Sequence, residues 1–207
     1  VGDDDPHSPE NWSDEVTSRI TLISPAMTRS LRETRFDDGS PLDASGTARA
    51  ESAAGSLRSA DRVLVSPTVR CRETASALGL SAVAEPELAG LDMGRWRGLT
   101  LDEVMSREPD AVMAWLTDAD AVPHGGESVR ALCERAARWL EATAGFEGRT
   151  LAVVEQEFVR ALAVTVLDAP GPAFWRLDVP PLTATDLSGR AGRWNLQLGR
   201  ALGTDVR

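Results

Sequence analysis

Two side chains in this sequence stand where chemistry could be done. Arg70 falls in the first turn of the helical pattern "SPTVRCRETASAL", just after an apolar run, and Glu155 closes another apolar run, "TLAVV". A guanidinium at a helix N-terminus can hold an anion. A carboxylate leaving a buried strand can act as acid or base, or can pair with that guanidinium. Asp92, in the glycine-punctuated stretch "LAGLDMGRWRG", is a second candidate acid or base. His124 and Glu127 lie in the turn "PHGGES", and Gln156 follows Glu155 at a helix start. Ser24, Pro25 and Thr28 occupy "LISPAMT", a strand running into a turn. No base adjoins the two hydroxyls in sequence, so serine-hydrolase chemistry is not expected. Glu155, Asp92, Glu127 and His124 lack the spacing of a recognised ligand set, so neither a metal nor another cofactor is expected.

The elements that must position these groups follow from hydrophobic patterning. "RITLIS" (19–24), "DRVLVS" (61–66) and "TLAVV" (150–154) read as buried strands. Helical patterns cover 43–59, 66–78, 101–116, 127–143 and 156–167. Ser66 is the expected cap of the second, with Pro67 at its first position. A short strand is expected near Val83, and "LTATDLSG" with "GRWNLQLG" forms a terminal antiparallel pair. Strands alternating with helices imply a mostly parallel sheet covered on both faces, with ligands off the carboxyl ends of the strands at Ser24, Ser66 and Glu155.

Bulk properties narrow the partners. The 207 residues suffice for one α/β domain, expected over 19–200, with a disordered acidic leader over 1–18 and a short tail over 201–207. A net charge of −10 argues against nucleic acid and against an anionic membrane surface. No stretch is long and apolar enough to cross a bilayer, and the acidic N-terminus lacks a signal-peptide core. Cys71 and Cys133 lie in separate helical patterns and read as thiols, which points to a cytoplasmic location. A small-molecule ligand is the expected partner. The terminal strand pair or exposed tryptophans offer an edge for a homodimer.

Five ordered stretches carry a family resemblance. "PLDASGTARA", "SPTVRCRETASAL", "LAGLDMGRWRG", "PHGGES" and "TLAVVEQEFVRAL" resemble segments of the histidine phosphatase superfamily, the phosphoglycerate mutase-like fold. The resemblance spans nearly the whole folded part and implies a three-layer α/β/α sandwich. It also implies a mechanism: a histidine takes the phosphoryl group, arginines and a second histidine hold its oxygens, and a carboxylic acid protonates the leaving group. By this resemblance Ser24 stands at the first arginine's position and Pro25 at the nucleophile's. Gly90 stands at the acid's position and Glu155 at the second histidine's, and Arg70 alone keeps the family residue.

Proline has no nucleophilic atom. Two unit charges about 4 Å apart interact by about 4 kcal/mol at an effective dielectric near 20, so an ionised Glu155 opposes phosphate about as strongly as Arg70 attracts it. The resemblance thus implies a degenerate pseudoenzyme that binds a small metabolite or acts as a regulatory or accessory protein. Its candidate ligand-binding residues are Ser24, Pro25, Thr28, Arg70, Gly90, His124, Glu127, Glu155 and Gln156. Two alternatives stay open: a repurposed enzyme using Glu155 or Asp92 on a non-phosphate substrate, and residual phosphatase or mutase activity. A structural Arg70–Glu155 ion pair is the plainest expectation for those two residues.

Overall fold

Three short, largely apolar parallel strands build the centre of the sheet, because strands covered on both faces need no polar side, and a two-residue exposed strand pairs at their edge. The computed structural model describes residues 18–190 and 192–203, so the expected leader lies outside the described residues except for Ser18, which opens the first strand; 204–207 of the tail lie outside them too. The strands are β1 (Ser18–Ile23), β2 (Arg62–Val65), β3 (Val83–Ala84), β4 (Arg149–Val153), β5 (Thr183–Arg190) and β6 (Arg193–Ala201). Their order is β3-β2-β4-β1-β5-β6. The first four are parallel; β5 runs antiparallel to β1, and β6 to β5.

Seven helices attach to this frame among the described residues: α1 (Arg29–Arg32), α2 (Ala44–Ser52), α3 (Val69–Ala77), α4 (Leu101–Arg107), α5 (Pro109–Thr117), α6 (Val129–Ala144) and α7 (Gln156–Val166). Strand alternation divides the core between two faces. Leu22, Ala152 and Val154 pack with Leu132 and Trp139 of α6 and with Phe158 and Leu162 of α7. Ile23, Leu151 and Val153 pack with Ala50 of α2 and with Cys71 and Ala75 of α3. This is the expected α/β/α sandwich. A separate aromatic cluster joins Met93 and Trp96 to Val104 of α4 and to Val112 and Trp115 of α5.

Several boundaries differ from the sequence reading, each for a local reason. Ser66 extends the β2–β4 ladder, its N–H donating to Val153 O at 2.9 Å, so Thr68 rather than Ser66 is the N-cap of α3. The pattern over 101–116 is two helices, because Pro109 cannot continue α4 and instead starts α5. The alanine-rich helix stops at Ser52, short of Gly55, whose φ of +82° takes the chain out of helix. α6 begins at Val129, where Ser128 accepts the Ala131 N–H, and leaves Glu127 outside the helix.

The turn after β1 is held by side chains of neighbouring elements. Thr74 of α3 donates to Arg70 O at 2.7 Å and accepts the Ala26 N–H at 2.9 Å. Thr28 caps α1 by accepting the Leu31 N–H. Replacing Thr74→Val keeps the shape and strands the buried Ala26 N–H. The expected loss is about 1–3 kcal/mol, read as a lower urea midpoint at unchanged m-value.

Candidate functional site

The carboxyl ends of β2 and β4 bring Arg70 and Glu155 together from 85 residues apart. Arg70 is in the first turn of α3 and Glu155 is the N-cap of α7, so both helices direct their N-terminal partial charge toward the same point. Arg70 Nη2 lies 2.7 Å from Glu155 Oε2, and Arg70 Nε donates to Oε2 at 2.7 Å and to Oε1 at 3.0 Å. The Thr68 hydroxyl donates to Oε1 at 2.6 Å. Arg70 and Glu155 are 4% and 1% exposed, so their partners are each other rather than solvent.

Glycine at position 90 makes this arrangement sterically feasible. A Cβ there would come within 2.9 Å of Glu155 Cγ and 3.3 Å of its Cβ. The segment carrying Gly90 is clamped from α6 by Arg135, which donates to the carbonyls of Glu87, Ala89 and Gly90. Glu127 orients that guanidinium through contacts at 2.7 and 3.0 Å.

The electrostatics are those of a filled anion site. Burial alone would lower the Arg70 pKa, but the carboxylates of Glu155, Glu157 and Asp37 outweigh it and raise the group above its ordinary value. Asp37 Oδ1 stands 3.8 Å from Arg70 Nη1, and Asp37 Oδ2 stands 4.0 Å from Arg97 Nη2. Burial pushes the Glu155 carboxyl above its ordinary value, and the Arg70 guanidinium and Thr68 hydroxyl offset only part of that rise.

The remaining candidates are spread over other structural tasks. Ser24 is fully buried; its hydroxyl donates to Pro180 O at 2.7 Å and accepts the Thr183 N–H at 3.0 Å, which pins the start of β5. Pro25 is buried, and its carbonyl accepts the Leu182 N–H. The Gln156 side chain donates to Val179 O at 2.8 Å. Asp92 is exposed, with its carboxylate turned back onto the Gly94 N–H at 2.9 Å. The His124 ring lies within the aromatic cluster, 5.2 Å from the Trp96 ring, and its Nδ1 accepts the Gly126 N–H. Among the described residues no three of His, Cys, Asp and Glu gather as a metal set.

Thr68, Asp37 and Arg135 were absent from the sequence reading. Thr68 is a cap-type residue directly before a helical pattern, which is a usable signal. The other two depend on contacts no local pattern reveals.

With this geometry in place, the comparisons with known proteins define the class. Residues 27–200 match the histidine phosphatase superfamily (branch 1), and the chain belongs to that family. The match begins just beyond Ser24 and Pro25. A bifunctional protein of Mycobacterium tuberculosis, Rv2228c, is 31% identical over 190 residues, covering 86% of this chain and 52% of its own length. This chain therefore spans about half of that relative. A glucosyl-3-phosphoglycerate phosphatase of Mycolicibacterium vanbaalenii is 28% identical over 158 residues, covering 61% of this chain and 69% of the relative. Among solved structures, the mycobacterial glucosyl-3-phosphoglycerate phosphatase Rv2419c in complex with VO3 superposes with a TM-score of 0.76 at 26% identity, covering 88% and 98% of the two chains. An alpha-ribazole phosphatase from Shigella flexneri gives a TM-score of 0.78 at 23% identity, covering 90% and 99%, and so supports the fold.

Two measurements check the site. Removing either partner alone, as Glu155→Ala or Arg70→Ala, leaves a buried charge unmatched and is expected to cost about 3–5 kcal/mol in denaturant unfolding. The double replacement Arg70→Met/Glu155→Leu should be more stable than either single variant. Burial lowers the His124 pKa below its ordinary 6.5. The unfolded chain therefore takes up a proton that the folded chain refuses, and stability falls as pH drops below about 6.5. His124→Gln should flatten that part of the curve of melting temperature against pH.

Proposed function

We propose that this chain is a histidine phosphatase-fold protein that does not turn over phosphate esters through a phosphohistidine, and that it serves as a metabolite-binding or accessory protein. The observation that carries the reading is the Glu155 carboxylate. It takes the two strongest donors at the carboxyl ends of the strands, Arg70 and Thr68, as an incoming phosphoryl group would otherwise do. The protein thus supplies its own anion. Pro25, at the position the family uses for its nucleophile, offers no attacking atom, and its carbonyl is engaged by Leu182.

The alternative in which Glu155 or Asp92 serves as a new acid or base draws little from the geometry. Glu155 is saturated by donors and 1% exposed, and Asp92 is exposed with its carboxylate closing its own turn. The names of the phosphatase relatives support the competing reading, residual phosphoryl transfer.

A panel of phosphate monoesters, including an aryl phosphate and a phosphorylated sugar, separates the two. The expected result is no phosphate release above background and no radiolabelled protein after incubation with a labelled ester. Some small metabolite should raise the melting temperature without forming product. Phosphate release that disappears in Arg70→Lys, or a trapped phosphorylated side chain, would overturn the reading.

A further inference from the structure

The opposite end of the sheet carries a feature that the phosphatase lineage does not account for. β1 and β4 are parallel neighbours, and their register sets Arg19 directly beside Arg149. Adjacent strands lie about 4.8 Å apart, so two guanidinium side chains rise together from the N-terminal end of the two inner strands, and like charges so placed destabilise the sheet. Both line a groove of about 860 Å³ together with Arg58, from the segment after α2, and Arg200 of β6.

Among the described residues the groove has a single acidic lining residue, Asp186, and it is already engaged. Asp186 accepts the Thr21 hydroxyl at 2.6 Å and the Arg200 guanidinium at 3.1 Å. Four arginines against one aspartate leave the lining at a net +3, on a chain whose total is −10. Among the described residues no carboxylate pairs with the guanidinium of Arg19, Arg58 or Arg149. Asp61, which adjoins this end, accepts the backbone N–H of Arg149 at 2.8 Å.

We propose that this groove is a binding site for a small polyanion carrying two separated anionic groups, phosphate or carboxylate. One group bridges Arg19 and Arg149, where it cancels their mutual repulsion. The other is held by Arg58 and the outer face of Arg200. Ser188, Asn195 and Gln197 on β5 and β6 line the same groove and supply neutral donors and acceptors between the two ends. The volume lies within the range of small-molecule sites and far exceeds that of a single oxyanion. Shape and charge together therefore favour a multiply charged metabolite. The site is independent of the Arg70–Glu155 pair and of whether that end of the sheet is catalytic.

Titration calorimetry at low salt with inorganic pyrophosphate and with citrate tests the proposal, the two probes distinguishing phosphate from carboxylate ligands. At least one should bind, and Arg19→Ala/Arg149→Ala should weaken it about tenfold or more, the equivalent of losing a charge-assisted hydrogen bond. Arg58→Ala, at an exposed position outside the sheet, should weaken it in the same direction and serves if the strand variant fails to fold. Arg138→Ala removes an equal charge from α6, against the opposite face of the sheet, and should leave binding unchanged. Failure of both probes to bind, or equal weakening in Arg138→Ala, would overturn the assignment.

Discussion

A carboxylate cannot be carried out of water alone, and this constraint organises the upper end of the sheet. Glu155 is tolerable there because Arg70 meets it with two nitrogens and Thr68 adds a hydroxyl. Each helper is fixed by something else. β2–β4 pairing aligns the two strand ends, Thr68 stands at the N-cap position of α3, and Thr74 ties that helix to the turn after β1. Gly90 clears the space, and Arg135 of α6 holds Gly90's segment through its carbonyls. Loosening any of these exposes or strands a charge, so the end of the sheet behaves as one cooperative unit.

Much of the architecture was legible in the sequence because its signals are local. Apolar runs such as "TLAVV" mark strands buried on both faces, and the alternation of strands and helices marks the layers. The Arg70–Glu155 pair was also legible, since both residues sit at element boundaries whose directions are fixed by the parallel sheet. Other features were hidden by competing local choices. Ser66 is as good a cap as Thr68, and only the ladder bond to Val153 decides between them. The helical periodicity of 101–116 survives the Pro109 break because α4 and α5 face the same aromatic cluster.

Several candidate side chains have structural partners that their types alone did not announce. His124, Glu127 and Gln156 have reactive types at plausible positions, and each meets a structural partner elsewhere in the fold. His124 goes to Trp96, Glu127 to Arg135, and Gln156 to the Val179 carbonyl. The arginine groove was invisible for the converse reason. Arg19 and Arg149 are ordinary charged residues until strand register sets them side by side. The two ends of the sheet consequently differ in kind: one neutralises itself, and the other leaves its cations waiting.

The contact between position 90 and Glu155 couples what the two positions can hold. A side chain at 90 would press its Cβ to within 2.9 Å of Glu155 Cγ, so the glutamate would have to shift from its place against Arg70. A larger residue at 90 is therefore accommodated more easily where the side chain at 155 is shorter or has moved. In evolutionary terms the two positions are yoked, because a change at one decides which changes the other accepts.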